Sequence, residues 1–169
     1  MSKYGIAITG VEETIKNIQK FTNDLNNRVN KLVQALTDRG VEIANVYVKG
    51  ISQSIFHNPQ TGWYQGSGNL AGSIVGIFDA TTHTGIITSN SPYAIYVEYG
   101  TGVYGENSSH GEEGWWYYAE GDSHWTKGQP PRQFMYRTYK DLQKEIQQIA
   151  KEVFNKWLMW KIRFSINYF

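Results

Sequence analysis

The sequence predicts an α+β domain: a long N-terminal helix, a small mainly antiparallel sheet, a short middle helix and a long C-terminal helix. Three observations carry this. Apolar side chains recur at helical intervals over residues 11–56 and again from Gln133 onward. Two short β-branched runs, 73–80 and 84–90, flank a polar turn and read as a hairpin. Gly, Ser and Asn cluster between these segments, as connections require. At 169 residues the chain fits one domain, 1–169, long enough to bury a real core.

The first helix is marked by Val11, Ile15, Ile18, Leu25, Val29, Leu32, Leu36, Ile43, Tyr47, Ile51 and Ile55, three, four or seven residues apart. Thr9 is placed to cap its start, with Glu12 three residues on as the capping-box partner. So long a helix exceeds the width of a small domain, so a bend near Thr37-Asp38-Arg39-Gly40 is expected, or else a projecting helix that packs on neighbouring subunits. The stripe lacks the clean heptads of a free coiled coil. His57-Asn58-Pro59 ends the helix, and residues 58–69 form a loop. Tyr4–Thr9 reads as a further strand.

Pro92 starts a short helix through Tyr99, with Ala94, Val97 and Tyr93 or Ile95 facing inward and Gly100 as its left-handed stop. Residues 101–131 are a long aromatic loop, within which Trp115–Glu120 and Ser123–Lys127 can pair around Gly121-Asp122. The last helix carries Met135, Tyr139, Leu142, Ile146, Ile149, Val153, Trp157 and Trp160 or Lys161 at three- to four-residue spacing. Its end, 157–169, is apolar on nearly every side and is expected to be covered by a partner.

Composition narrows the function. Aromatics reach 15%, led by twelve Tyr and six Trp, types that suit partly covered surfaces as well as a core filled with large rings. With no cysteine, disulfides and thiolate metal sites are excluded. Met1–Gly5 begins no charged-then-apolar leader and no apolar run reaches membrane-spanning length, which predicts a chain made in the cytosol, neither exported nor membrane-spanning. Net charge is +1, but it is segregated: residues 101–130 hold one basic and five acidic side chains, and 131–169 hold eight basic and three acidic. That polarity favours head-to-tail contacts between copies, beside the simpler reading of an acidic loop and a solvated helix face.

None of the constellations that resemble chemistry holds up. Gly100-Thr101-Gly102-Val103-Tyr104-Gly105 spells the dinucleotide pattern, yet it follows a short helix and opens no helix that would receive a pyrophosphate. His110, Glu112, Glu113, Asp122 and His124 crowd one loop without the spacing of a metal motif, so a solvated polar loop is the better reading. Glu98 with Glu113 or Glu120 could be posed as a glycosidase pair, with Trp115 and Trp116 stacking a sugar, but nothing in the sequence sets their separation. Lys140, Lys144, Lys151, Lys156 and Lys161 drift around the last helix and form no coherent phosphate groove. The expectation is no catalytic residue, no cofactor and no metal.

Three ordered runs carry a family resemblance. Gly68-Asn69-Leu70, followed by Ser73-Ile74, resembles the "TG-N/R-L-R-x-S-I" element of the phage tail-component family, the head-to-tail joining (neck, tail-completion) proteins of long-tailed siphophages. Tyr93-Ala94-Ile95-Tyr96-Val97-Glu98-Tyr99-Gly100-Thr101-Gly102 is similar to that family's "Y-A-x-Y-V-E-F-G-T-G", and Pro130-Pro131-Arg132-Gln133-Phe134-Met135 to its "P-x-P-F-M". The likeness covers roughly residues 10–155. Ser67 and Ala71 replace the usual Thr and Arg, Gln133 stands where proline is common, and the apolar C-terminal extension lies outside the pattern.

The resemblance implies a virion protein assembled in the host cytoplasm, forming a homo-oligomeric ring between head connector and tail. Its partners would be sister copies, head-completion and connector proteins, and tail-terminator or tail-tube proteins. Genome DNA would cross its lumen without sequence-specific binding. Within the motifs, Leu70 and Ile74 are expected to anchor the hairpin, with Ser73 between them, and Tyr93, Tyr96 and Val97 to pack the short helix. Glu98 is expected to satisfy backbone amides or a basic residue near the Gly100–Gly102 turn, while Phe134 and Met135 pin the last helix. The expected contact residues are Trp115, Trp116, Tyr117, Trp125, Trp157, Trp160 and Phe164. A tail terminator or minor tail subunit, or a carbohydrate-contacting accessory tail protein, are the alternatives.

Overall fold

A computed structural model describes residues 10–52, 55–58, 62–65, 69–105, 114–119 and 121–165. For residues 52, 55–58, 62–65 and 155–165, and for Tyr117, Ala119, Asp122 and His124, it describes the backbone alone. The expected cap at Thr9 and the strand Tyr4–Thr9 lie outside the described residues.

Helix α1, Val11–Ser52, runs for 42 residues, about 63 Å at the α-helical rise. It does not break near Gly40. That glycine marks a close approach: a Cβ there would run into Cδ1 of Ile87 and lie 3.3 Å from Leu142. The helix also ends earlier than the stripe suggests. Ile55–Asn58 (β1) pairs with Gly62–Gln65 (β2) in antiparallel register, Phe56 opposite Tyr64 and His57 opposite Trp63. This region was expected to finish the helix and form a loop. Both strands are short, and the strand-forming Ile55, Phe56, Trp63 and Tyr64 make up half of them, which outweighs the helical spacing of Ile55.

The central hairpin is Ile74–Asp79 (β3) and Thr84–Ser89 (β4), close to the expected bounds. Ser73 fixes its start: the Ser73 hydroxyl donates to Leu70 O at 2.7 Å and meets Ser89 Oγ at 2.7 Å. Asp79 shapes the tip by accepting the Thr81 amide and the Thr82 hydroxyl, which hold its carboxyl below the usual range, the Thr82 bond contributing most. His83 takes a positive φ of 53° in the turn, and its Nδ1 lies 2.7 Å from Asn30 Oδ1, tying the tip to α1.

The hairpin lies on α1 with little between them. A Cβ on Gly76 would sit 2.9 Å from Thr37 Cγ2 and 3.0 Å from Val41 Cγ2, and one on Gly85 would collide with Thr37 Oγ1. Thr37 can be buried there because its hydroxyl, which faces Gly85, donates to Val33 O at 2.8 Å within the helix, while its methyl faces Gly76. Around this seat lies the core of Ala44, Val48, Leu70, Ile74, Val97 and Phe134.

Helix α2, Ala94–Tyr99, and helix α3, Phe134–Ser165, complete the fold. α3 runs antiparallel to α1. Arg28 Nη1 donates to Val153 O at 3.2 Å, Arg39 grips both oxygens of Glu145 at 2.6 and 2.9 Å, and the Tyr47 hydroxyl donates to Asp141. Phe134 and Thr138, buried near its start, were not in the expected stripe. Tyr139 and Ile146, which were, face solvent. The Thr138 hydroxyl donates to Phe134 O at 2.7 Å, so a nominally polar residue meets the core as a methyl.

Two outcomes are expected. Gly85→Ala, although it improves strand propensity, forces a methyl against Thr37 and lowers stability by about 1–3 kcal/mol in denaturant titration. Arg39 holds Glu145 below its ordinary carboxyl pKa, and Lys144 followed by Tyr47 does the same for Asp141. Both groups therefore bind protons less readily folded than unfolded. Their stabilisation is complete above the unfolded-state pKa of about 4 and is lost as pH falls through the lower folded values. Thermal melts on stepping into that range should drop more steeply for wild type than for the Glu145→Gln, Asp141→Asn variant.

Candidate functional site

The three sequence motifs meet at one junction. Leu70, Val97 and Phe134, one from each, are all buried in the same core, and Phe134 is only 1% exposed. Glu98, on the next position of α2, is also buried, and its carboxylate is committed to the start of α3: it accepts the Met135 amide at 2.8 Å and the Tyr136 amide at 3.0 Å. Two main-chain bonds flank this cap, Arg132 N to Val97 O at 2.8 Å and Gln133 N to Glu98 O at 3.1 Å. A helix N-terminus leaves its first amides unpaired and carries positive partial charge, so a carboxylate brought in from a remote element satisfies both needs. Of the two partners expected for Glu98, backbone amides or a basic residue near the Gly100–Gly102 turn, it takes amides, and they are those of α3. That role removes it from any glycosidase pair, and Glu113 and Glu120 lie outside the described residues.

The junction also anchors the long loop. Gly100 ends α2 at φ 76° and ψ 180°, a positive φ as expected but with an extended ψ, so the chain leaves straight and does not continue left-handed. A Cβ at Gly100 would lie 2.7 Å from Gln129 O and 2.8 Å from Pro131 N. Thr101 N donates to Gln129 O at 2.9 Å and Val103 N to Lys127 O at 3.1 Å, while Gln129 N donates to the Thr101 hydroxyl at 3.1 Å. Residues 101–103 and 127–129 thus form a pinned stem. At Gly102 a side chain would strike both Lys127 O and the Trp115 ring.

Above the stem stands a hairpin, Trp115–Ala119 (β5) with Asp122–Thr126 (β6). Ala119 pairs with Asp122, so the reversal comes one residue earlier than the expected Gly121-Asp122; Gly121, at φ 86°, sits inside it. Trp116 is directly opposite Trp125, and Tyr118 follows on the same face of β5. Trp116 is 64% exposed and Tyr118 75% exposed, whereas Trp115 and Trp125 are half-buried. Lys127 Nζ lies 5.8 Å from the Trp125 ring centre, within cation–π range.

The exposed rings continue beyond the hairpin. Tyr93 just before α2, Tyr96 and Tyr99 on it, Tyr104 after it, and Tyr136 and Tyr139 on the first turns of α3 all face solvent. Tyr93 and Tyr96 were expected to pack α2 inward, as was Ile95 as an alternative to Tyr93. A helix of six residues buries only a narrow stripe, and Ala94, Val97 and Glu98 fill it. Met135 packs beside the core as expected. The other expected contact residues are placed only in part. Tyr117 lies opposite His124 in β5–β6, and Trp157, Trp160 and Phe164 fall on the backbone of α3, but their side chains are outside the description. Of the proposed metal cluster, His110, Glu112 and Glu113 lie outside the described residues, and the side chains of Asp122 and His124 are not described.

Among the described residues, no helix is long and apolar enough to cross a membrane. An open groove between α1 and α3, lined by Asp38, Arg39, Glu42, Glu145 and Glu152, is occupied by Arg39 paired to Glu42 at 2.9 Å and to Glu145. Comparison with protein-family models, curated proteins and solved structures finds no match to this chain.

The cap generates a specific expectation. Glu98→Ala leaves two α3 amides without an acceptor and should cost about 1–3 kcal/mol in denaturant titration, with Glu98→Gln intermediate. Gln133, just before α3, has φ 52°. Gln133→Gly relieves that left-handed backbone and should raise stability by about 1 kcal/mol, while Gln133→Pro, which can neither adopt it nor donate to Glu98 O, should lower the melting temperature.

Proposed function

We propose that this chain is a structural virion protein of a tailed bacteriophage, a neck or tail-completion subunit that forms a homo-oligomeric ring joining the head connector to the tail. The observation that carries the reading is the junction of Leu70, Glu98 and Phe134: three motifs scattered along the chain serve one packing and capping unit. Chemistry of this kind holds a scaffold in shape. Among the described residues it offers a reacting group nothing, since their one buried carboxylate, that of Glu98, is spent on helix amides. In this role the chain is not an enzyme and needs no cofactor, and DNA crosses its lumen without being read. Its partners are further copies, head-completion or connector proteins, and tail-terminator or tail-tube proteins.

The aromatic hairpin is the contact surface in this reading. Tyr and Trp combine large apolar area with few rotatable bonds, which makes them preferred interface anchors. Trp116 and Tyr118 stand on a stem too well tied to fold back over them. The same exposed pair of rings favours carbohydrate stacking as the second reading, and a glycan pull-down separates the two.

Trp116→Ala with Tyr118→Ala removes rings that contribute little to the core, so stability should change by no more than about 0.5 kcal/mol. Heads and tails produced with this variant should fail to join. Trp160→Ala should behave alike. Normal yields of complete particles from both variants would overturn the assignment.

A further inference from the structure

We infer that the β3–β4 hairpin is a docking seat for a second copy of this chain, with the β4 edge of one copy pairing with the β3 edge of the next to build one continuous antiparallel sheet. The inference rests on the ring-subunit reading and names the contact that would close the ring.

The hydrogen-bond pattern provides the first argument. Asn90 N donates to Ser73 O at 2.9 Å, which makes 73 and 90 a bonded pair. Antiparallel ladders alternate, so in the observed register 75 with 88, 77 with 86 and 79 with 84 are bonded inward. The N–H and C=O groups of Gly76 and Phe78 on β3, and of Gly85 and Ile87 on β4, then point outward along the two edges. Among the described residues no third strand pairs with either edge, because the sheet has two strands. α1 covers one face of the hairpin and neither edge supplies it with a ladder.

The two edges complement each other. Each is six residues long and offers the same alternating donors and acceptors. Pairing β4 of one copy with β3 of the next preserves the alternation of strand direction from copy to copy. A twofold pairing of β3 with β3 would satisfy one edge and leave the other bare. A head-to-tail contact satisfies both, and such contacts close into rings.

The side chains fit this use. Exposed strand edges are normally guarded by lysine, proline or a bulge. β3 (Ile-Val-Gly-Ile-Phe-Asp) and β4 (Thr-Gly-Ile-Ile-Thr-Ser) contain no lysine, arginine or proline, and the one charge, Asp79, is tied into the turn. The face turned away from α1 carries Ile77 directly opposite Ile86, 54% and 50% exposed, with half-buried Val75 beside them. Side by side in a ring, these become one apolar band.

The test uses the full chain over a concentration series, with assembly mass measured and amide exchange read residue by residue after quenching. In the assembled fraction the Gly76, Phe78, Gly85 and Ile87 amides should exchange at least about tenfold more slowly than in the protomer. The inward Ile77 and Ile86 amides, already bonded, should change far less. Ile77→Lys with Ile86→Lys, both at exposed positions, should keep the circular dichroism of the protomer and weaken assembly at least about tenfold. An assembly in which the four outward amides stay unprotected would overturn the seat and leave the ring reading standing. Assembly that stops at two copies would overturn the head-to-tail pairing, and a protomer at every concentration would overturn the inference altogether.

Discussion

The fold depends on how closely the central hairpin can approach the first helix. At Thr37 the separation is set by the absence of side chains on Gly76 and Gly85, and one turn later by the absence of one on Gly40. Close contact of this kind cannot be shifted gradually, because sliding a strand by one residue exchanges its two faces. The register is therefore fixed, and so is the identity of the face left uncovered. Val75, Ile77 and Ile86 are outside because Ile74, Phe78 and Ile87 are needed inside.

A second constraint acts on the other half of the molecule. The acid of α2 holds the first turn of α3, the main chain around Arg132 and Gln133 adds two further bonds, and the residues after Gly100 are laced to those before Pro130. Residues 101–103 and 127–129 form a short stem, and 115–119 with 122–126 a two-stranded ribbon. The aromatic side chains on that ribbon owe their exposure to how firmly its base is held.

Much of this was legible in the sequence. The hairpin around residues 73–90 and the start of α3 are written in strong local signals, β-branched runs around a polar turn and a proline pair before a periodic segment. For Glu98 the sequence leaves backbone amides and a basic residue both open, and the amides that decide between them lie 37 and 38 positions further on. What could not be read depends on contacts between distant segments. Gly40 looks like a break to any local rule, and only Ile87 and Leu142 explain it. Thr37 and Thr138 count as polar by composition, yet each is buried with its hydroxyl bonded to its own helix. Ile55 fits the helical spacing and the strand equally well. Tyr93 and Tyr96 have the right periodicity for burial, but α2 is too short to hide them.

The remote cap on α3 also bears on the order in which the chain acquires its structure. A helix that lacks a local acceptor for its leading amides nucleates poorly in isolation. Here the acceptor lies 37 positions earlier in sequence, so during synthesis it leaves the ribosome first. The start of the final helix thus depends on α2 being in place, and a change that displaces α2 takes the cap of α3 with it.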